Sequence, residues 1–231
     1  MGSQGKHASI NIVGAGPGGL TAAMLLARRG FKVRLFEKAN RVGGRNAAIL
    51  RNGYKFDVGP TFLMMKFILD EVFKESGRNI DDYLKLRRLE PMYRLQFNDI
   101  RLEPTTQREA MAQQIDHAFP GNRDGYDRFM AAEKRRFELM YPCLQKDYSS
   151  FKQYFSKEFI KAAPNLSIGR SLIGVLGDYF KDEKLKLSFT FQSKYLGMSA
   201  WDCPGAFAIL PYVEHAFGIY HTIGGLSEIS E

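Results

Sequence analysis

The chain has 231 residues, 33 Lys+Arg against 25 Asp+Glu, a net charge of +8 and 45% hydrophobic residues. That length supports one large domain or two smaller ones with a packed core, and 18 phenylalanines in an ordinarily charged chain exclude wholesale disorder. The longest uninterrupted apolar run, Ala22–Ala27, is six residues where a spanning helix needs about 20, so no transmembrane segment is expected.

The opening MGSQGKHAS is polar and has no apolar h-region, so no secretory signal is expected. Cys143 and Cys203 lie 60 residues apart with no C-x-x-C pair. Free thiols in a reducing, intracellular compartment follow as the expectation. His7, His117, His215 and His221 are scattered without zinc-ligand spacing, so no metal site is expected. The charge is uneven. Residues 1–61 hold ten Lys/Arg and two acids, Glu37 and Asp57, whereas residues 62–231 hold 23 of each sign. A basic first segment suits a dinucleotide or an acidic membrane surface, and equally a solvated face. Nucleic acid is not expected, because no RNP-type or zinc-finger motif is present.

In chain order, residues 8–13 (ASINIV) read as a short buried strand. GAGPGG follows at residues 14–19, and then Leu20, Ala23, Met24 and Ala27 recur at helical spacing, with Gly30 as the stop. Lys32–Glu37 alternates as a second strand. Strand, glycine turn, helix and strand make a right-handed βαβ unit. Gly53–Thr61 reads as a short strand, Phe62–Ser76 as a helix stopped by Gly77, and 84–102 as two strands. Helical patterns dominate 106–194, residues 195–220 are mixed, and 221–231 look like the start of a helix.

Gly14, Gly16 and Gly19 form G-x-G-x-x-G, and Glu37 lies 18 residues beyond Gly19. In this context the motif is a dinucleotide fingerprint. Gly14 permits the tight turn, Gly16 lets backbone N–H groups approach a pyrophosphate, and Gly19 lets the helix pack on the strand. The helix N-terminus offers positive partial charge to the phosphates. Glu37 can accept hydrogen bonds from ribose hydroxyls, and its charge disfavours a 2′-phosphate and hence NADP. NAD and FAD both remain open from this motif.

Beyond Glu37 runs Arg41-Val42-Gly43-Gly44-Arg45. This E-x-x-x-R-x-G-G-R run resembles the flavin-dependent amine oxidase superfamily, in which it continues the FAD site. F-D-x-G-P-T at Phe56–Thr61 is similar to the carotenoid desaturase branch, the phytoene and diapophytoene desaturases, where the turn lies beside the flavin. Further matches are P-M-Y-R (Pro91–Arg94), G-Y-x-x-F (Gly125–Phe129), F-Q-S-K-Y-L-G (Phe191–Gly197) and Y-V-E-H-x-x-G (Tyr212–Gly218), before Gly224-Gly225. One departure is Gln192, where better-known phytoene desaturases often carry His.

The resemblance implies an α/β fold: a Rossmann-like FAD-binding domain with an antiparallel substrate-domain segment and a helical insertion. The implied segments are 8–80 for FAD binding, 81–105 for substrate-domain strands and 106–194 for a helical, membrane-facing lid. Residues 195–231 would return to the substrate and FAD domains. The implied FAD-binding residues are Gly14, Gly16, Gly18, Gly19, Glu37, Lys38, Gly44, Arg45, Gly59, Pro60 and Thr61. Family members continue well beyond 231 residues, so the chain is expected to be an N-terminal fragment.

The implied activity is FAD-dependent desaturation of a linear carotenoid precursor, a long isoprenoid hydrocarbon, with thirty-carbon substrates the nearer match. No catalytic residue is nominated. Candidate tunnel lining is Phe62, Met64, Met65 and Phe67, together with Phe189–Leu196, although such a stripe also reads as plain core. The alternatives are another member of the superfamily, an amine oxidase or carotenoid isomerase, and an inactive nucleotide-binding fragment. A lipid-dissolved substrate implies an enzyme bound peripherally to a membrane, and with the cysteine usage the expected location is cytoplasmic. Over 134–161, basic residues interleave with Phe and Tyr as a membrane interface would require, or as an ordinary amphipathic lid would. The oligomeric state is left open.

Overall fold

The structure, a computed structural model, describes residues 8–231. His7 and most of the polar opening stretch lie outside the described residues. The chain divides into two compact units, one running through Leu89 and taking in Ile219–Glu231, the other Glu90–Gly218.

In the first unit, strand β1 (Ser9–Val13), helix α1 (Pro17–Arg28) and strand β2 (Lys32–Phe36) form the expected βαβ element. The strands pair in parallel from Ser9↔Lys32 to Val13↔Phe36. Helix α1 starts inside the glycine run, with Pro17 in its first turn. Proline suits that position because its ring presets φ and the missing N–H would have no intrahelical partner.

The next segment differs from the single strand expected at Gly53–Thr61. It is a hairpin of β3 (Ala48–Arg51) and β4 (Tyr54–Asp57). Asn52 and Gly53 between them have φ of 51° and 80°, the two positive angles that an Asn-Gly hairpin turn requires. Helix α2 (Lys66–Ser76) begins later than Phe62. Leu63–Met64 instead forms β5, and Met65 at φ 52° turns the chain into the helix. After β6 (Leu86–Arg88), the chain leaves this unit and returns as β9 (Ile219–Thr222). Strand β9 lies between β5 and β6, antiparallel to both. That pairing draws the end of the chain into this unit and gives a division different from boundaries at 81 and 195. The final residues form a short 3-10 turn, Leu226–Ile229, rather than the start of an α-helix.

The second unit is mainly helical. A small antiparallel pair, β7 (Leu95–Gln96) and β8 (Arg101–Leu102), precedes α3 (Arg108–Ala118) and the 22-residue α4 (Arg123–Leu144). Shorter helices follow: α5 (Lys157–Ala162), α6 (Leu172–Leu176), α7 (Glu183–Ser188) and α8 (Ile209–Phe217). Polar side chains start three of them, with Ser156 accepting from the Phe159 N–H at the start of α5. Ser171 accepts from the Gly174 N–H, and Asp182 accepts from those of Lys184 and Leu185, satisfying donors that a helix start leaves unpaired.

The core of this unit is aromatic. Phe189 packs on Phe180 at 4.8 Å, on Phe129 at 5.3 Å and on the His215 ring at 5.2 Å. Such pairs add about 0.5–1.5 kcal/mol each beyond the area they bury. Among the described residues no helix is long and apolar enough to cross a membrane. No group of three or more His, Cys, Asp or Glu among them could hold a metal ion.

Candidate functional site

The glycine loop between β1 and α1 is shaped by backbone contacts. Gly14, at φ 100°, donates its N–H to the Phe36 carbonyl at 2.7 Å, joining the loop to the end of β2. A Cβ on Gly19 would stand 2.0 Å from the Gly14 carbonyl oxygen, so only glycine lets α1 approach the strand. A Cβ on Gly16 or Gly18 would meet nothing within 4 Å. The space before the helix N-terminus is therefore open, and the first turn of α1 carries no acid that would repel an anion.

Glu37 follows β2 and is held by the loop it serves. Its Oε2 accepts the Ala15 N–H at 2.7 Å and its Oε1 accepts the Ala39 N–H at 2.9 Å. The Ala39 and Ala15 backbone donors hold this carboxyl below the usual carboxylate range. It is thus ionised, fixed in direction, and retains lone pairs for hydroxyl donors.

The R-V-G-G-R run closes on the same loop. Gly43 donates to the Ala15 carbonyl at 2.7 Å, and a Cβ on Gly44 would sit 3.3 Å from the Gly16 Cα. Arg45 lies on the 3-10 turn Gly44–Asn46, and its carbonyl oxygen would be 2.1 Å from a Cβ on Gly59. The structure therefore brings together Gly14, Gly16, Gly18, Gly19, Glu37, Gly44, Arg45 and Gly59. Lys38, Pro60 and Thr61 are exposed, and no hydrogen bond among the described residues ties their side chains to the loop.

The second unit holds a separate polar cluster around Glu214, which is fully buried. Its Oε2 accepts from Gln192 Nε2 at 2.7 Å and from the Tyr93 hydroxyl at 3.0 Å, and its Oε1 accepts from the Tyr195 hydroxyl at 3.0 Å. Burial pushes the Glu214 carboxyl up, and the three donors pull it partly back. Three of the short matches found in the sequence, around Tyr93, around Gln192 and Tyr195, and around Glu214, thus meet at one carboxylate. Next to it, His215 is pulled down to about 4 by burial, and its Nδ1 lies 3.3 Å from the Tyr126 hydroxyl.

With this geometry, the comparisons with known proteins are specific. A family model described as an NAD(P)-binding Rossmann-like domain matches residues 12–74. The chain is 51% identical, over 97% of its length, to a 4,4'-diapophytoene desaturase (4,4'-diapolycopene-forming) of Methylomonas sp. It is 34% identical, over 99% of its length, to a zeta-carotene-forming phytoene desaturase of Myxococcus xanthus.

Its close homologues are diapophytoene and phytoene desaturases.

The chain spans 44% of the length of both of these relatives. Among solved structures, a putrescine oxidase bound to putrescine superposes with a TM-score of 0.56 at 20% identity, covering 97% of this chain and 48% of that one. At that identity the likeness speaks for the fold, a Rossmann-like α/β architecture.

Three residues of the first unit that were not among the expected site residues organise the glycine-rich end of the desaturase homologue. Asp57, in F-D-x-G-P-T, accepts the Leu226 N–H at 2.7 Å and the Ser227 N–H at 3.3 Å. Asn46 is buried and donates to the Leu226 carbonyl and to the Ser230 hydroxyl, both at 3.0 Å. Lys55 adds an ion pair to Glu228 at 2.5 Å. Together these residues fasten the turn after Gly224-Gly225 to the strands and turn that flank Arg45. The signal in the sequence was the acid within F-D-x-G-P-T, but its partners are backbone groups that carry no residue-type signature.

Proposed function

We propose that the protein is an FAD-dependent desaturase of a linear carotenoid precursor, with 4,4'-diapophytoene the first substrate to test. The observation that carries this reading is the 51% identity, over 97% of the chain, to a Methylomonas sp enzyme of that name. The first unit fits the cofactor. The open approach at Gly16 and Gly18, the helix N-terminus behind it and the ionised Glu37 suit a pyrophosphate and its adenosine ribose. The Gly43–Arg45 turn, seated against Ala15 and Gly16, supports FAD over NAD by its likeness to the flavin family's E-x-x-x-R-x-G-G-R.

A bound flavin supplies the hydride acceptor that removal of two hydrogens from an unactivated C–C bond needs. The chain's own residues would bind and orient that group, the glycine loop and helix N-terminus at its pyrophosphate and Glu37 at its ribose. The substrate has almost no polar handle, so its binding rests on apolar burial, about 0.8 kcal/mol per CH₂. The reading also carries a cytoplasmic location, consistent with two buried free thiols, Cys143 and Cys203.

The test is expression of the complete reading frame in cells that accumulate either 4,4'-diapophytoene or phytoene, followed by absorbance and mass of the lipid extract. A red-shifted polyene, lighter by pairs of hydrogens and stronger in the 4,4'-diapophytoene strain, is expected. An unchanged lipid profile from a protein that retains flavin would overturn the desaturase reading.

A further inference from the structure

Helix α4 carries a buried acid and a buried base one turn apart, and neither the glycine loop nor the Glu214 cluster uses them. Glu133 is 0% exposed and Arg136 8%. The Arg136 Nε stands 3.0 Å from Glu133 Oε2, yet it is off line for a hydrogen bond, and neither carboxylate oxygen receives one from any described residue. The two arms of the guanidinium are engaged elsewhere. Nη1 donates to the Gly205 carbonyl at 3.2 Å and Nη2 to the Ser167 hydroxyl at 3.0 Å. A buried carboxyl without donors is far less costly neutral than ionised, and burial pushes Glu133 up to about 7.

What the guanidinium grips is a strained junction. Ser167 holds φ 51°, a left-handed conformation that is costly for a residue with a side chain. Gly205 is wedged so closely that a Cβ there would stand 2.6 Å from Val175 Cγ2. Next to Ser167, Ile168 is 82% exposed, whereas Arg170 is anchored to Asp178 and to the Gly174 carbonyl, both at 2.7 Å. Release of Ser167 would therefore relax the tip of this loop and leave its far end tied. Ionised Glu133 competes for the same fork. A side-on carboxylate pair uses Nε and a neighbouring Nη in one rigid plane, so the plane must turn and withdraw from Ser167 and Gly205. Arg136 is the charge that acts on the Glu133 carboxyl, and Tyr179, in the turn 177–179, is a titratable group that feels it in return. Among the described residues, no charged group on α3, α5 or α8, which pack on α4, acts on that carboxyl.

We propose that Glu133 and Arg136 form a pH-operated latch: with Glu133 protonated the guanidinium holds Ser167 and Gly205, and with Glu133 ionised it turns to the carboxylate and frees the 167–169 loop tip. The proton leaves to bulk water, and the released loop regains a relaxed backbone at Ser167. The latch lies wholly in the Glu90–Gly218 unit and is independent of the desaturase reading.

The test is hydrogen–deuterium exchange of the purified full-length protein at about pH 6 and about pH 8.5, on either side of the Glu133 transition, corrected for intrinsic rates. The reporters are the Arg170 and Gly205 amides, which donate to the Ser167 and Arg170 carbonyls at 3.1 and 2.8 Å. In the wild type their protection should fall by about tenfold from the lower to the higher pH, while peptides from α3 hold theirs. E133Q, a neutral isostere, should keep the latch closed and the protection high at both pH values. R136K, which lacks the fork, should lose it at both. A second readout is independent of loop motion and of the folding of R136K. The infrared spectrum should show a protonated-carboxyl band that disappears across the same pH interval and is missing from E133Q. Equal protection of the wild type at the two pH values would overturn the proposal. So would an E133Q protein that loses protection as the wild type does, or the lack of any titrating carboxyl band that E133Q removes.

Discussion

In the Glu90–Gly218 unit, Tyr126, Phe129, Phe180 and Phe189 are at most 1% exposed. In the other unit, α1 buries no residue fully, and Val13 and Phe36 stand 88% and 52% exposed. Between α1 and α2 that unit leaves a cleft of about 880 Å³, lined by Leu20, Met24, Val72 and Phe73 among others. The helical unit is organised around packed volume. The nucleotide-binding unit is organised around backbone approaches and a few polar ties: Gly19 against Gly14, Glu37 on Ala15, Asn46 and Asp57 on the 226–230 turn. The two units should therefore fail for different reasons, the first to an added Cβ or a lost acceptor, the second to a lost ring.

The largest effect is expected at Gly19. In G19V the new Cβ falls 2.0 Å from the Gly14 carbonyl oxygen, so α1 must move away from β1 and the N-terminal anion site opens. Dinucleotide affinity should fall by about 100-fold or more, read as flavin absorbance retained by the full-length protein after desalting. Stoichiometric flavin in G19V would show that the loop is not the site. The matching test of the helical unit is F189A, which removes the ring that Phe180, Phe129 and His215 share. It should cost about 3–5 kcal/mol in denaturant unfolding. A cost under about 1 kcal/mol would mean that the aromatic cluster collapses freely and is not the organising core.

Two buried titratable groups sharpen the comparison, because both belong to the helical unit and act in opposite directions. Glu133 is pushed up to about 7 by burial, with Arg136 pulling against it. Between its ordinary 4.5 and about 7 the unfolded chain gives up that proton and the folded one keeps it. Stability from this group is present at low pH and falls as pH rises through that window. His215 is pulled from 6.5 to about 4. The unfolded chain takes up a proton below 6.5 and the folded one resists it, so this stability is lost as pH falls. Each contribution is about 3 kcal/mol at most, and where the windows overlap they offset each other. Melting midpoints of E133Q should therefore rise with pH from 4 to 6.5, with the wild type flatter. An E133Q profile as flat as the wild type would show that Glu133 is not the offsetting group.

Much of the nucleotide-binding unit was legible, since its signals are local. Strand alternation, the spacing of Gly14, Gly16 and Gly19, and an acid after the second strand all sit within about one βαβ length. What was missed depends on single backbone angles or on distant partners. The hairpin turned on Asn52 and Gly53, and the start of α2 on Met65 at φ 52°. Strand β9 could not be placed because Leu63 pairs with Tyr220 and Arg88 pairs with the same residue from the other side. The Glu214 cluster is the same case. Tyr93, Gln192 and Tyr195 come from separate stretches, and each looked like an isolated family mark until one carboxylate joined them.

The smallest effect expected is at Asn46, and it separates the polar ties of the first unit from its cofactor loop. N46A removes the donors to the Leu226 carbonyl and the Ser230 hydroxyl and leaves a buried carbonyl without its partner. About 1–3 kcal/mol of stability should go with it. Gly14, Gly16 and Glu37 keep their own contacts in this variant, so weakening of dinucleotide affinity should stay under tenfold, readable by titration of the apoprotein. Asp57→Asn is the companion, because an amide keeps one acceptor for the Leu226 N–H and loses the charge that also draws in the Ser227 N–H. If N46A lowers affinity as far as G19V does, the turn at 226–230 belongs to the cofactor site itself. A loss of stability with affinity nearly intact would instead mark Asn46 as a tie that holds the returning segment in place, acting beside the glycine loop without touching the cofactor.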